Sequence, residues 1–304
     1  MPRHTPAKRL EVKALRDLGK VASFVWSHPA NQGRRTGALA KAVGWQIYKR
    51  VARRTLDVSV YDGYKLRLYP DSTSASGVLY AGGYADWAEM SFLRHYLRPG
   101  DGFVDVGANM GVYTVLAASR VGPTGRVATF EPGPVSLRRL RENVELNGLQ
   151  NVDVHPVAVS DRAGTVSFDA AGGTTGHLAV DGKGAVETRS VRLDEVLGGG
   201  RWAAGKMDIE GAEPLALRGA ERLLAEANPP VWVVEVNGCL RRYGFSEAEL
   251  WSWLDERGWD VCLYDPERRV LSDCPRPSSE YHNIFAVARG AREEVAARLR
   301  SSRD

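Results

Sequence analysis

From residue 102 onward, short apolar runs alternate with longer stretches whose apolar positions return every three or four residues. This is the signature of strands alternating with amphipathic helices. Strands are expected near 103–107, 126–131, 152–159, 204–209 and 231–236, and helices near 111–120, 134–147, 213–226 and 246–257. The "GPTG" of 122–125 and Asn147-Gly148 supply turn and helix-ending chemistry between them. Two last runs, "WDVCLYD" and "HNIFAVAR", leave no room for a helix and read as an antiparallel pair at a sheet edge. Upstream, "LDVSVY" and "YKLRLY" alternate on either side of Asp62-Gly63, a hairpin signal, and a helix is expected over 86–97. Earlier still, Leu39, Val43, Ile47 and Val51 recur every four residues among Lys41, Lys49, Arg50, Arg53 and Arg54. That is an amphipathic helix with a basic face. Its stripe is expected to pack on the neighbouring domain, with docking on an anionic membrane or a nucleic acid as the alternative.

Alternation of this kind predicts an α/β chain with a doubly wound, Rossmann-like, mostly parallel sheet. Its ligand crevice should lie at the carboxyl ends of the strands, around the switch point. The expected divisions are a basic helical arm (1–55), a hairpin and helix (56–100), the cofactor-binding core (101–290) and a C-terminal helix or tail (291–304). Two glycine-rich stretches, 170–184 and 197–201, interrupt the core. The first, which contains His177, is either a flap over the site or a surface linker.

Charge changes this picture in one respect. Residues 1–54 hold 13 Lys/Arg and two acids, Glu11 and Asp17, out of 41 and 37 in the 304-residue chain, so a basic arm precedes an acidic domain. No apolar run approaches the roughly 20 residues needed to span a bilayer, and the N-terminal segment lacks the apolar core of a secretion signal. Three widely spaced cysteines, Cys239, Cys262 and Cys274, match neither a disulfide framework nor a zinc ligand set. A cytoplasmic protein with reduced thiols is the expectation.

Candidate chemistry begins at "FVDVGANMGVYT", residues 103–114, a strand entering a glycine bend. A dinucleotide loop would carry Gly-x-Gly-x-x-Gly to meet a pyrophosphate at a helix N-terminus. Here Asn109 takes the place of the second glycine, and Asp105 lies beside the bend. A carboxylate there repels pyrophosphate but favours a sulfonium and an α-amino group. S-adenosylmethionine carries both and no phosphate. Glu131, 20 residues past Gly111 at the end of the second strand, is positioned to take two ribose hydroxyls. "AVSD" at 158–161 offers Val159 as an adenine wall and Ser160 or Asp161 as polar contacts. The candidate cofactor set is therefore Asp105, Gly107, Ala108, Asn109, Gly111, Tyr113, Glu131, Pro132, Val159, Ser160, Asp161 and Asp208.

Taken together, "RPGDGFVDVGANMGVYT", "FEP", "NVELNG", "AVSD", "KMDIEGAE", "VVEVN" and "HNIFAVA" resemble the FkbM family of methyltransferases over about residues 55–290. The resemblance implies a class I methyltransferase fold of seven strands with the last one antiparallel. It also implies O-methylation of sugars, glycolipids, polyketides or other secondary metabolites. Many relatives carry a Tyr-Glu pair before the helix preceding the first strand. "YADWAE" instead offers Tyr84, Asp86 and Glu89, leaving open which acid meets the amino end of the cofactor.

Methyl transfer to a hydroxyl needs help in removing a proton. Lys206, Asp208 and Glu210 fall on one side of the fourth strand wherever it stays extended, and Glu235 and Asn237 on one side of the fifth. Three readings stay open. Asp208, Glu235 and Asn237 could ligate Mg²⁺. A metal-free site would use Glu210, Asp208 or His282 as base. The acids could also be structural, with Lys206 pairing one of them and Glu213 favouring a helix N-terminus. Tryptophans 232, 251, 253 and 259 read as core rather than as sugar platforms. "NPPVW" at 228–232 and "DCPR" do not match the amino-methylation and cytosine C5 patterns, so nucleic acid is not the expected substrate. RNA methylation and a non-catalytic S-adenosylmethionine-binding module are the rival readings. A small-molecule, sugar or glycolipid acceptor and a homodimer are expected as partners.

Overall fold

The computed structural model describes residues 19–169, 176–179 and 185–301. No helix among them is long and apolar enough to cross a membrane. Two compact units emerge, one running to Val60 and resuming over Arg67–Trp87, the other made of Tyr61–Leu66 and everything from Ala88 on.

Helix α1 (19–27), α2 (Arg35–Val51), strand β1 (Leu56–Ser59) and α3 (Thr73–Tyr80) lie in the first unit, and strand β2 (Lys65–Leu68) is divided between the two units after Leu66. The strands form the two-stranded sheet expected around Asp62-Gly63. Asp62 and Gly63 both turn through positive φ, 47° and 93°, as a tight reversal demands. Ser72 caps α3, its hydroxyl accepting from the Ala75 amide at 3.3 Å. Buried Asn31 ties the layers together, its amide donating to the Val25 and Tyr80 carbonyls at 2.9 and 2.8 Å. The apolar stripe of α2 does not pack inward as expected. Val43, Ile47 and Val51 are 52%, 59% and 79% exposed, while Ala38, Ala42 and Trp45 are buried. Two alanines let α2 approach its neighbours closely, and Trp45 fills the remaining space, its indole donating to Ser76 at 3.0 Å. Side-chain bulk marked one face; close approach selected the other.

The second unit takes up all of α4 (Trp87–Tyr96) but its first residue, then β3 (Gly102–Val106), α5 (Val112–Val121), β4 (Arg126–Phe130), α6 (Pro134–Leu146) and β5 (Val152–His155). A second sheet follows, from β6 (Ala158–Val159), β7 (Gly164–Asp169), β8 (His177–Leu178) and β9 (Ala185–Val191). The chain returns through α7 (Leu193–Val196) to β10 (Ala204–Met207), α8 (Glu213–Arg218), α9 (Glu221–Ala225) and β11 (Val231–Glu235). It ends with α10 (Glu247–Asp255), β12 (Trp259–Asp265), β13 (Val270–Asp273), β14 (Asn283–Ala288) and α11 (Arg292–Arg300).

The main sheet runs β13-β12-β14-β11-β10-β3-β4-β5. Its strands from β5 to β11 are parallel, and β14 is antiparallel to both β11 and β12. The seven expected strands are present, and β13 adds an eighth by a hairpin from β12. Because the chain leaves β3 outward to β5 and comes back to place β10 on the other side of β3, the switch point lies between β3 and β10.

Two expected elements are divided. The strand expected over 152–159 breaks at Pro156, which has no N–H to continue a ladder, and its second half joins β9 in the other sheet. The helix expected over 213–226 breaks at Gly219, where a β-carbon would stand 2.1 Å from the Ser160 carbonyl oxygen. The glycine-rich stretch 170–184 lies mostly outside the described residues, between β7 and β9. In the core, Trp232 of β11 lies fully buried across Gly205 of β10, its partner in register. A β-carbon on Gly205 would come within 2.2 Å of the indole ring, which explains glycine inside a central strand.

Candidate active site

Asp105 is the penultimate residue of the fully buried strand β3 and is 1% exposed. One carboxylate oxygen accepts from the Thr114 hydroxyl at 2.6 Å, and the other is buried without a partner. The Thr114 oxygen also lies 3.1 Å from that of Thr129 on β4. After Val106 the chain turns through Gly107 and Gly111, at φ 82° and 88°, with Asn109 left-handed at 53°. A β-carbon at Gly107 would stand 1.9 Å from the Asp208 carbonyl oxygen, and one at Gly111 2.7 Å from Leu140. Only glycine lets this loop lie so close to the end of β10.

Glu131, following β4, reaches back to the loop. Its carboxylate accepts from the Asn109 amide at 2.8 Å and from the Gly133 amide at 2.7 Å. Burial raises its pKa to about 7, against the pull of those amides. Asn109 is held in addition by Ser136, whose hydroxyl donates to its side-chain oxygen at 3.3 Å. Glu131, Asp105 and Asp208 repel one another through the low-dielectric interior. Pro132 follows directly. Val159 and Ser160 are buried at the start of the second sheet, and Asp161 accepts from the Ser160 hydroxyl at 3.1 Å.

Lys206 is the cation that holds these acids together. It is 2% exposed and in register with Asp105 on the neighbouring strand. Its ammonium lies 2.7 Å from an Asp208 carboxylate oxygen and 4.5 Å over the Tyr113 ring. Burial alone would lower its pKa, but Asp208 and Asp105 outweigh it and hold the ammonium above its usual range. Asp208 is pulled down by Lys206 and by a hydrogen bond with Glu235, despite burial that works the other way. Glu235 is driven upward by burial and by the Asp208 charge, so it is the protonated partner, donating to Asp208.

The alternation expected through Glu210 stops short of it. Strand β10 ends at Met207, and Glu210 sits in a left-handed turn at φ 58°. The turn forms because Glu213 accepts from the Ile209 and Gly211 amides at 2.8 and 3.3 Å. Glu210 therefore leaves the line of Lys206 and Asp208 and comes to lie 3.9 Å from the Cys239 sulfur. Glu213 opens α8 and fills the structural role expected of it. Asn237 spends its side-chain oxygen on the Cys239 amide at 3.1 Å. His282 is exposed, and its carbonyl accepts from the Val236 amide, so it stands at the carboxyl end of β11. His177 pairs with Asp169 between β8 and β7. Tyr84 and Asp86 belong to the first unit, and Glu89 is buried in the second.

One Asp208 oxygen is taken by the Lys206 ammonium, Glu235 is held protonated beside the Asp208 charge, and the Asn237 oxygen accepts from the Cys239 amide, which leaves a poor donor set for Mg²⁺. Among the described residues no group of three His, Cys, Asp or Glu side chains forms a metal site. The metal reading is thus not supported. Trp232 and Trp259 are core, as expected. Thr114 and Ser136 were not foreseen. Thr114 had a signal, being a polar residue on the inner side of the otherwise apolar "VYTVLAA" helix.

A parallel sheet with this strand order, an antiparallel β14, and an acid-flanked glycine loop at its switch point make up the class I methyltransferase fold. Residues 105–261, just over half of the chain, match the methyltransferase FkbM domain, and the chain belongs to that family. A stretch of 80 residues is 41% identical to 31-O-demethyl-FK506 methyltransferase FkbM of Streptomyces tacrolimicus, spanning 26% of this chain and 30% of that one. Another of 63 residues is 36% identical to the ribosomal protein L11 methyltransferase of Syntrophomonas wolfei, spanning 21% and 20%. These matches cover less than a third of either relative's length. The crystal structure of the FkbM methyltransferase from Methylobacillus flagellatus KT is 16% identical, with a TM-score of 0.41 over 83% of this chain and 60% of that one.

Proposed function

We infer that this methyltransferase transfers its methyl group to a hydroxyl oxygen of a sugar, glycolipid or other secondary metabolite. The observation that carries this reading is the buried Lys206–Asp208–Glu235 network at the carboxyl end of the two central strands. The Streptomyces relative, whose name specifies a 31-O position, supports the choice of oxygen.

The pocket residues fit the cofactor. Asp105 offers a buried acceptor with no partner, and Gly107 leaves the backbone bare beside it. Asp105, Gly107, Ala108, Asn109, Gly111 and Tyr113 would hold the methionine end, Glu131 and Pro132 the ribose, and Val159, Ser160 and Asp161 the adenine. Bound S-adenosylmethionine supplies an electrophilic methyl group on a sulfonium. Asp208 is about one-third exposed and kept ionised by Lys206, so it can accept a hydrogen bond from a substrate hydroxyl. A carboxylate held below its usual range is a weak proton acceptor. It orients the hydroxyl, and the exposed imidazole of His282 at the neighbouring strand end takes the proton.

The test pairs binding with transfer. Calorimetric titration with S-adenosylhomocysteine should give equal affinity in EDTA and in Mg²⁺. Binding should weaken at pH 6 relative to pH 8, because Glu131 takes up a proton near pH 7. Radiolabelled transfer should then favour hydroxylated sugars and macrolactones over ribosomal protein and RNA. Asp208→Asn and His282→Ala should lose rate and keep cofactor affinity. Cofactor binding with label appearing only in protein or RNA would refute the O-methyl reading.

A further inference from the structure

The outward face of α2 has no counterpart in the chemistry described above. Ala38 and Ala42 point into the first unit, and Ile47 stands nine residues beyond Ala38, about two and a half turns, on the opposite side. Val43 and Val51 flank Ile47 along the same side, and all three are more than half exposed. Three aliphatic side chains in a line are not needed by the fold, and isolated surface residues do not account for them. Thr36 and Ala40 continue the face toward the helix start. Lys41 and Arg50 stand at its flanks, and Arg53 and Arg54 follow its C-terminal end, all of them exposed.

A second observation lies on α1. Phe24 and Trp26 are 38% and 50% exposed, and the Arg35 guanidinium at the start of α2 sits 5.4 Å over the Trp26 ring. Indole beside guanidinium is the pairing favoured where apolar and charged surroundings meet. Across residues 19–54 there are eight Lys/Arg and no Asp or Glu.

We propose that the outward face of α2, with Trp26 and the flanking Lys and Arg side chains, docks in the plane of an anionic lipid surface. The charge pattern selects this occupant. A second copy of the chain seated on the face would set Lys41, Arg50, Arg53 and Arg54 against their own copies, with no acid between them. A bilayer rich in acidic headgroups supplies the missing negative charge and takes the aliphatic stripe below the headgroups. The effect is to hold an enzyme at the surface where a lipid-linked or poorly soluble acceptor resides.

Co-sedimentation with sucrose-loaded vesicles tests this on the full chain. The protein should pellet with phosphatidylcholine vesicles containing about a third phosphatidylserine. It should stay in solution with phosphatidylcholine alone, and release should follow a rise to about 0.5 M salt. The double variant Val43→Glu/Ile47→Glu should bind the anionic vesicles about tenfold more weakly or worse. Its melting temperature and S-adenosylhomocysteine affinity should not change, because both side chains already face solvent. Removal of residues 1–18 should leave most of the binding in place. The proposal is overturned if the wild type does not pellet, or if the double variant binds as well as the wild type. It is equally overturned if the protein is a dimer in solution that the double variant dissociates, which would assign the face to a second copy.

Discussion

Replacing Lys206 by methionine removes a buried cation from among the acids at the switch point, with little change of volume. The strand register puts Asp105 beside it, and the salt bridge puts Asp208 within 2.7 Å. Asp105 is 1% exposed and already has one oxygen without a partner, so water cannot replace the ammonium there. Breaking a buried ion pair from one side costs about 3–5 kcal/mol. Asp208 is about one-third exposed and keeps Glu235 as a donor, which brings the expectation to the lower end, about 3 kcal/mol. For a chain of this size that corresponds to a fall of about 5 °C in melting temperature. The loss must depend on pH. Without Lys206 the Asp105 pKa, already raised by burial, rises further, so the folded state binds a proton that the unfolded state has released. Stability of the variant is therefore full at low pH and falls as pH rises through the folded pKa, whereas the wild type, with its carboxylate compensated, changes less. Guanidinium unfolding between pH 5 and pH 8 measures both curves. Adding Asp105→Asn to Lys206→Met should restore much of the loss at pH 8. A variant within about 0.5 kcal/mol of wild type, or one whose deficit is the same at both pH values, would refute the assignment of Lys206 as the compensating charge.

Three further outcomes follow from the same geometry. Gly107→Ala forces a β-carbon against the Asp208 carbonyl at positive φ, so calorimetry should show S-adenosylhomocysteine affinity falling by about tenfold or more while the fold survives. Thr114→Val leaves the second Asp105 oxygen unsatisfied, and denaturant unfolding at pH 8 should register a loss of about 1–3 kcal/mol. Glu213 is fully buried, which lifts its pKa to about 7 against the pull of the Ile209 and Gly211 amides. Its contribution is complete below the ordinary glutamate range and is lost as pH rises through about 7. Glu213→Gln should therefore gain on the wild type between pH 6 and pH 8 in paired unfolding curves.

The sequence by itself determined the alternation of strands and helices, the glycine loop with Asp105, the acid at 131 and the hairpin at Asp62-Gly63. Each rests on local rules: side-chain period, the φ that glycine alone reaches easily, and the fixed spacing of a strand-turn-helix unit. Tertiary structure decided what depends on approach between distant segments. Alanines 38 and 42, not the bulkier stripe, face inward on α2, because helix spacing is set by the smallest side chains at the contact. Glu210 leaves the line of Lys206 and Asp208 because Glu213, farther along, captures the Ile209 and Gly211 amides and bends the chain. The division of roles among Asp105, Lys206, Asp208 and Glu235 was likewise absent from the sequence. Ionised and neutral acids differ only through burial and the position of one ammonium, and both come from three strands brought into register by the fold.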